Sequence, residues 1–152
     1  MAQHYYEDFE PGQLYTGKKR IRVDADEIKR FAAAWDPQPF HLDEAAAAAS
    51  VFGGLAASGW HTAAMTMRLF VDGDMKVAGG LIGMGLEELR WPRPVRAGDE
   101  LRVQVEVLEL RPSRSRPSYG LVKVRTTTLN QRDEPVQVAV NTLFVPRRDA
   151  GS

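Results

Sequence analysis

The C-terminal half of the chain alternates apolar and polar residues, and this pattern constrains the fold more than any other feature. Over residues 101–107, leucine or valine stands at every odd position and a polar residue at every even one. A period of two places all the apolar side chains on one face of a strand. The same pattern predicts strands over Leu81–Trp91, Tyr119–Leu129 and Val136–Val145, and the break at Leu108 indicates a bulge.

The N-terminal half shows helical spacing instead. Apolar residues three and four positions apart predict a helix over Asp24–Trp35, with Asp24 or Asp26 as its N-cap. The segment Asp36–His41 is expected to be an ordered, non-helical loop, because its two prolines lack amide hydrogens and favour extended geometry in the residues before them. A short alanine-rich helix is expected over Glu44–Ala49.

The strongest helical pattern follows Ser58, which we expect to be the N-cap, with Gly59 as the first helical residue. Apolar residues recur after it at the spacing of one helical face. They are Trp60, Ala63, Ala64, Met67, Phe70 and Val71. This face is wide enough that we expect the helix to be buried almost all round.

Helices followed by an antiparallel meander of about four long strands predict an α+β fold. A fifth strand is expected near Arg20–Val23, a turn over Asn130–Pro135 and a loop over Arg111–Pro117. The sheet is expected to wrap around the strongest helix, because that helix needs cover on most of its surface. The length of 152 residues suits one domain. We expect it to span residues 1–152, with an ordered core over about residues 5–146.

Charge and composition exclude several classes of protein. The 20 basic and 20 acidic residues cancel, so no nucleic-acid partner is expected. No apolar run approaches the thickness of a bilayer, and the acidic, aromatic N-terminus lacks the pattern of a secretory signal. We therefore expect a cytoplasmic protein without membrane association. The absence of cysteine excludes disulfides, thiolate metal ligands and a cysteine nucleophile.

The charge is distributed unevenly along the chain. Residues 1–89 carry 8 basic and 13 acidic residues, and residues 90–152 carry 12 and 7. The basic residues of the second half are mostly arginine. They fit a solvated strand face, and the alternative is a site for a small molecule that bears phosphate.

One of the three histidines has a chemically useful neighbour. His41 shares the proline-stiffened loop with Asp36, and a carboxylic acid beside an imidazole can serve as a general acid and base. The alternative is structural, with Asp36 ending one helix and His41 capping the next. His4 is expected in a frayed terminus, and His61 is expected to be structural or solvated.

The dipeptide Ser58-Gly59 offers a second chemical feature. A helix N-terminus presents unpaired amides and the positive end of the helix dipole, and such amides can stabilise a carbonyl oxygen that gains negative charge. Glycine lets a ligand approach the backbone closely. The alternative is that Ser58 simply caps the helix. No serine or threonine is paired with a base, and no second ligand accompanies His41 to form a metal site.

Three segments resemble the MaoC-like family, which includes the (R)-specific enoyl-CoA hydratases. The first is Arg30–Asp43, which contains the run Trp-Asp-Pro-Gln-Pro-Phe-His and resembles the hydratase motif of that family. The second is Phe52–Gly59 and the third is Leu89–Leu101. The resemblance extends from about Phe9 to Val145.

The resemblance implies a hot dog fold that works as a homodimer or a dimer of dimers. It implies a hydratase or dehydratase that acts on an acyl-CoA thioester without metal or redox cofactor, coenzyme A being part of the substrate. Asp36 and His41 match the catalytic pair, and Gly59 matches the residue whose amide binds the thioester oxygen.

Two departures from the family bear on the substrate. Many relatives have asparagine where this chain has Gln38, and many have histidine where it has Ser58. Ser58, Trp35 and Trp60 are expected near the acyl group.

Six arginines are candidates for the phosphates of coenzyme A, with Arg93 foremost. They are Arg90, Arg93, Arg96, Arg111, Arg114 and Arg116. Two other activities remain open for this fold: a thioesterase, and a non-catalytic acyl-CoA-binding subunit of a larger assembly.

Overall fold

An antiparallel sheet of six strands dominates the computed structural model, which describes residues 3–148. The strands are β1 (Leu14–Thr16), β2 (Ile21–Arg22), β3 (Gly83–Arg90), β4 (Glu100–Pro112), β5 (Tyr119–Leu129) and β6 (Pro135–Pro146). The α-helices are α1 (Ala25–Trp35), α2 (Pro39–Leu42), α3 (Glu44–Ala48) and α4 (Gly59–Asp72), and Tyr6–Asp8 forms a 3-10 turn. The α+β class is therefore confirmed. Residues 1–2 and 149–152 of the expected domain lie outside the described residues.

The strand order is β1-β4-β5-β6-β3, with β2 paired to β4 beside β1. The expected strands are all present, but the simple meander is wrong because β3 pairs with β6 at the edge of the sheet. The connection between β3 and β4 contains Pro92 and Pro94 and is too long for a tight hairpin. It therefore leaves β4 free to lie at a distance from β3.

The bulge predicted at Leu108 is confirmed, since the register between β4 and β5 shifts between Val107 and Glu109. The strand continues beyond the bulge to Pro112, so the expected loop over Arg111–Pro117 begins too early. Strand β1 has three residues and was not predicted, because a segment of this length carries no measurable period.

Helix α1 begins after its N-cap Asp24, whose side chain accepts a hydrogen bond from the amide of Glu27 at 3.2 Å. The prediction of a wholly non-helical loop after α1 is wrong, because Pro39 starts the one-turn helix α2. Proline is tolerated at the first helical position, where its missing amide hydrogen has no partner in any case. His41 lies on this turn, and Asp43 rather than His41 caps α3.

Helix α4 crosses the sheet with a different face than the sequence predicts. The buried residues are His61, Thr62, Met65, Thr66, Leu69 and Phe70, whereas Trp60, Met67 and Val71 are exposed. Two of the buried residues are threonines that satisfy their hydroxyls inside the protein. Thr66 Oγ1 donates to the carbonyl of Thr62 at 2.8 Å and lies 2.6 Å from Thr128 Oγ1 on β5. Apolar spacing alone could not reveal this, because side-chain to backbone bonds make buried threonine acceptable.

Two apolar clusters meet along α4. Phe70 packs with Val105, Val107 and Leu143 in one cluster, and Met65 and Leu69 pack with Val103 and Leu101 in the other. The helix is thus held against the sheet by both clusters. None of the helices within residues 3–148 has the length and apolar character needed to cross a bilayer.

The N-terminal segment is held by the residues after α4, so the expectation of a frayed His4 is wrong. His4 bridges to Val77, and its carbonyl accepts a hydrogen bond from the amide of Ala78 at 2.8 Å. Its ring nitrogen Nδ1 lies 3.0 Å from the amide nitrogen of Lys76.

Candidate active site

Asp36 and His41 face each other across the turn between α1 and α2. Asp36 is the C-cap of α1, and its amide donates to the carbonyl of Ala32 at 2.8 Å. Pro37 prevents the helix from continuing, and α2 then turns the chain back. His41 Nε2 lies 3.5 Å from Asp36 Oδ2, with the imidazole buried and the carboxylate partly exposed. At this separation, one water molecule can form a hydrogen bond to each of the two atoms.

The backbone carbonyl of Ala56 fixes the imidazole of His41. Nδ1 lies 2.6 Å from this oxygen. A carbonyl oxygen only accepts, so Nδ1 carries the hydrogen and, in the neutral ring, Nε2 presents its lone pair to Asp36. The ring of Phe40 packs edge-on against the imidazole, with centroids 4.7 Å apart. These contacts determine both the tautomer and the orientation of the ring.

Ser58 joins this pair to helix α4. Its hydroxyl donates to Asp36 Oδ2 at 2.8 Å and accepts from the amide of Trp60 at 3.2 Å. Ser58 is therefore the N-cap of α4, as expected, and its side chain is fully buried. It orients Asp36, and the structure does not place it on a surface open to an acyl group.

Gly59 is the first residue of α4 and lines the same cavity as His41. The amides of a first helical turn have no acceptor within the helix, and the helix dipole favours negative charge there. The indole of Trp91 lies directly against Gly59, since a Cβ built at this position would be 2.6 Å from the ring. Glycine is thus required by the packing of Trp91.

The cavity beside His41 has a volume of about 520 Å³. Its walls come from α2, the loop before α4, the first turn of α4 and the proline-rich segment after β3. The lining residues are His41, Val51, Phe52, Ala57, Gly59, Thr62, Trp91, Pro92, Arg93, Pro94, Val95 and Arg96. His41 and the helix N-terminus therefore open onto one space, with Asp36 beside His41. This space is large enough for part of a thioester ligand.

Arg96 and Arg93 line this cavity in different ways. The guanidinium of Arg96 donates to the carbonyls of Gly54 at 2.7 Å, Leu55 at 3.3 Å and Phe52. It is occupied by the loop before α4, which makes Arg96 the weaker of the two candidates for binding phosphate. Arg93 lies at the rim with its side chain 47% exposed and Nε 3.6 Å from Glu134 Oε2.

The other four candidate arginines do not line the cavity. Arg90 pairs with Glu88 on the outer surface of β3. Arg111, Arg114 and Arg116 lie at the far end of β4, about 30 Å from the cavity at roughly 3.3 Å per residue of strand. Of the six candidate arginines, Arg93 alone combines a place at the cavity with an exposed charge.

The structure does not bring Trp35 or Trp60 to the cavity beside His41. Trp35 ends α1 with 76% of its surface exposed, and Trp60 is 58% exposed; neither lines that cavity. Trp60 instead lines a second, smaller cavity between α4 and the sheet. Sequence reasoning missed Trp91, although it lies within the third family-like segment, because nothing in the run Arg-Trp-Pro-Arg-Pro tells where the indole points.

His61 lies outside the site. Its ring stacks on Phe31 with centroids 4.6 Å apart, and Nδ1 is buried without a hydrogen-bond partner. Burial lowers the pKa of His61, and the negative charge of Glu27 opposes this shift. Within residues 3–148, no group of three or more His, Cys, Asp and Glu side chains is arranged to hold a metal ion.

Solved structures of other proteins share this architecture. A MaoC-like dehydratase from Rhodospirillum rubrum superposes with a TM-score of 0.91 and 52% identity, over 95% of this chain and 98% of that one. R-hydratase PhaJ1 from Pseudomonas aeruginosa superposes with a TM-score of 0.73 and 28% identity, over 95% of this chain and 86% of that one. The fold is thus the hot dog fold of dehydratases and hydratases.

Sequence comparison identifies the family. The MaoC like domain matches residues 8–130, so the chain belongs to the MaoC-like dehydratase family. The uncharacterized protein YdeM of Bacillus subtilis is 33% identical over 130 residues, which cover 86% of this chain and 90% of YdeM. A 3-hydroxybutyryl-CoA dehydratase of Methylorubrum extorquens is 35% identical over 113 residues, 74% of this chain and 69% of that protein.

Proposed function

We propose that the protein adds water to the C2=C3 double bond of a trans-2-enoyl-CoA, or removes water from the corresponding 3-hydroxyacyl-CoA. The observation that carries this proposal is the 3.5 Å distance between Asp36 Oδ2 and Nε2 of His41, which lines the same cavity as the N-terminus of α4. Relatives named as an R-hydratase and a 3-hydroxybutyryl-CoA dehydratase support the same chemistry.

His41 is the proposed base for the attacking water. Because its Nδ1 hydrogen is donated to Ala56, the lone pair of Nε2 is available to accept a proton from water. The oxygen of that water then forms the bond to C3. Loss of the proton to His41 makes the water a stronger nucleophile at the moment of attack.

Asp36 is the proposed acid that protonates C2. The hydroxyl of Ser58 orients its carboxyl group, which lies beside the imidazole of His41. In one cycle, water gives its hydroxyl group to C3 and a proton to His41, while Asp36 gives a proton to C2. Transfer of the proton from His41 to Asp36 then restores the starting state, and dehydration follows the same steps in reverse.

The amide of Gly59 is the proposed donor to the thioester oxygen. Addition at C3 moves negative charge onto that oxygen before C2 is protonated. A backbone donor already fixed at a helix N-terminus stabilises this charge without reorganisation, and one such donor contributes about 3 kcal/mol to the barrier.

Arg93 is the proposed contact for a phosphate group of coenzyme A, since it is exposed at the rim of the cavity. The chemistry described uses only side chains, one amide and water. We therefore propose no metal or redox cofactor, with coenzyme A entering as part of the substrate.

A second copy of the chain is the proposed partner. Strand β3 lies at one edge of the sheet, and Met84 and Leu86 on it are 60% and 56% exposed. Exposed Trp60 and Met67 on α4 extend this apolar surface. A long apolar edge strand is prone to unwanted pairing unless it is covered, and antiparallel pairing of β3 with its copy would cover it around a two-fold axis.

Hydration of crotonyl-CoA tests the proposed roles. The loss of absorbance of the conjugated thioester measures turnover. We expect Asp36→Asn and His41→Ala each to lower kcat by about 10²- to 10⁴-fold, because each removes one proton-transfer group. The matched control is Asp26→Asn, an exposed carboxylate on α1 that does not contact the cavity. Full turnover in either site variant would contradict the assignment.

The same assay separates the other two activities of this fold. Release of free coenzyme A, detected with a thiol reagent, would indicate a thioesterase instead. A purified protein that binds acyl-CoA but gains activity only on addition of another chain would indicate a subunit of a larger assembly.

A further inference from the structure

The indole of Trp91 lines one cavity and contacts residues that line a second one. The first is the cavity of about 520 Å³ beside His41, which Trp91 lines. The second has a volume of about 140 Å³ and lies between α4 and the sheet. Its apolar walls include Ala63, Met67, Phe70, Leu86, Leu89 and Ala139. Trp91 contacts two further residues of this second cavity, Trp60 and Gln137.

Three contacts hold the indole in this position. One face packs so closely on Gly59 that a Cβ there would lie 2.6 Å from the ring. Nε1 donates to Gln137 Oε1 at 2.9 Å, and Gln137 is itself buried on β6. Trp60 packs edge-on, with ring centroids 5.5 Å apart. Held by these three contacts, the indole forms a rigid part of the wall of the first cavity.

We propose that Trp91 limits the acyl group to short chains by separating the first cavity from the second. This inference rests on the proposed function, in which the thioester oxygen lies at the Gly59 amide. An acyl group held at that point meets the indole at once, because the ring lies against the same glycine. A longer chain would need to displace the ring to reach the apolar space under α4.

Removal of the indole would give a longer acyl chain access to the second cavity. The walls of this cavity are largely apolar and partly covered by Trp60, which suits the methylene groups of a longer chain. A missing or additional methylene in an apolar pocket changes discrimination by ten-fold or more. The length of the preferred chain is therefore expected to depend on the size of residue 91.

Binding of saturated acyl-CoA tests this without any turnover. Isothermal titration calorimetry gives the Kd of butyryl-CoA and of octanoyl-CoA, neither of which has a double bond to hydrate. In the unaltered protein we expect butyryl-CoA to bind at least ten-fold more tightly. In Trp91→Ala we expect this preference to be lost or reversed, with an intermediate ratio in Trp91→Phe.

Two further variants complete the test. Gln137→Leu keeps the indole but removes the hydrogen bond that fixes it, so octanoyl-CoA should bind better than in the unaltered protein. Leu14→Ala, at the opposite edge of the sheet, should leave the ratio unchanged. If Trp91→Ala does not fold, Trp91→Phe and Gln137→Leu still decide the question. Equal binding of both ligands to the unaltered protein, or an unchanged ratio in the Trp91 and Gln137 variants, would overturn the proposal.

Failure of this inference is distinguishable from failure of the proposed function. If the binding ratios change as expected but no enoyl-CoA is hydrated, the hydratase assignment fails and the role of Trp91 in binding stands. If crotonyl-CoA and 2-octenoyl-CoA are hydrated with equal kcat/KM, the hydratase assignment stands and the role of Trp91 is overturned.

Discussion

Two histidines of this chain show how the surroundings of an imidazole determine what it can do. His41 has a fixed hydrogen-bond acceptor on one nitrogen and a carboxylate beside the other. His61 is equally buried, but it stacks on Phe31 and has no partner for Nδ1. Protonation of His61 would therefore place a charge in a site that cannot stabilise it, which is why its pKa is lowered.

His61 is expected to make the protein less stable in acid. Because its pKa is lower in the folded state, the unfolded state binds more protons as the pH falls below about 6.5. The free energy of unfolding then decreases toward lower pH, by at most about 1.4 kcal/mol per pH unit for one proton. In His61→Gln this contribution is absent. Urea unfolding at pH 7.5 and pH 5.0 should show a smaller loss of stability in the variant, and an equal loss in both proteins would disprove the prediction.

At the level of residues, the sequence predicted the parts of the site that are close along the chain. Asp36 and His41 are five positions apart, and the intervening prolines limit the conformations that can separate them. Trp91 and Arg96 lie more than thirty positions after Gly59, in the connection between β3 and β4. The directions of their side chains depend on the path of this connection, which no local pattern encodes.

The segment between α3 and α4 is a loop that Arg96 anchors. Its guanidinium donates hydrogen bonds to the carbonyls of Phe52, Gly54 and Leu55. The next carbonyl, that of Ala56, accepts the hydrogen of His41 Nδ1. Arg96 is thus a positioning residue that acts on His41 through this loop.

Substitutions of Arg96 and Arg93 are expected to change different kinetic constants. Arg96→Lys cannot reach all three carbonyls, so we expect kcat for crotonyl-CoA to fall on the order of 10-fold with little change in KM. Arg93→Gln should raise KM while kcat stays unchanged, and the effect should shrink at high salt. Steady-state kinetics at two salt concentrations measure both. The same raised KM in both variants would mean that Arg96 contacts the substrate directly.

At the level of elements, patterns of period two located the long strands along the chain but did not give the place of every strand in the sheet. The strands β4, β5 and β6 lie where alternation predicts, because each has one face in the core. The same pattern predicted strand β3, but it did not predict that β3 lies at the edge of the sheet. The pairing of β3 with β6 depends on the long connection between β3 and β4. The buried face of α4 was misjudged because Thr62 and Thr66 satisfy their hydroxyls internally.

At the level of the whole molecule, the two edges of the sheet differ in character. Strand β1 has three residues, whereas β3 has eight and is exposed along most of its length. The exposed apolar residues of α4 lie on the same side as those of β3, since Trp60, Met67 and Leu86 line one cavity. A second copy of the chain would therefore pair at β3 rather than at β1.

Charge introduced at each edge tests this difference. We expect the unaltered protein to have at least twice the mass of the 16.9 kDa chain in light scattering coupled to gel filtration. Leu86→Lys should yield the monomer, because lysine on an edge strand opposes pairing. Leu14→Lys, on β1 and similarly exposed, should not change the mass. A monomeric unaltered protein, or dissociation by the β1 variant alone, would refute the proposed interface.

The contact between Gly59 and Trp91 links two positions that are far apart in the chain. A methyl group at position 59 has no room while the indole is present, and it gains room when residue 91 becomes small. Efforts to engineer this protein for other ligands should therefore vary the two positions together, since each limits what the other can become.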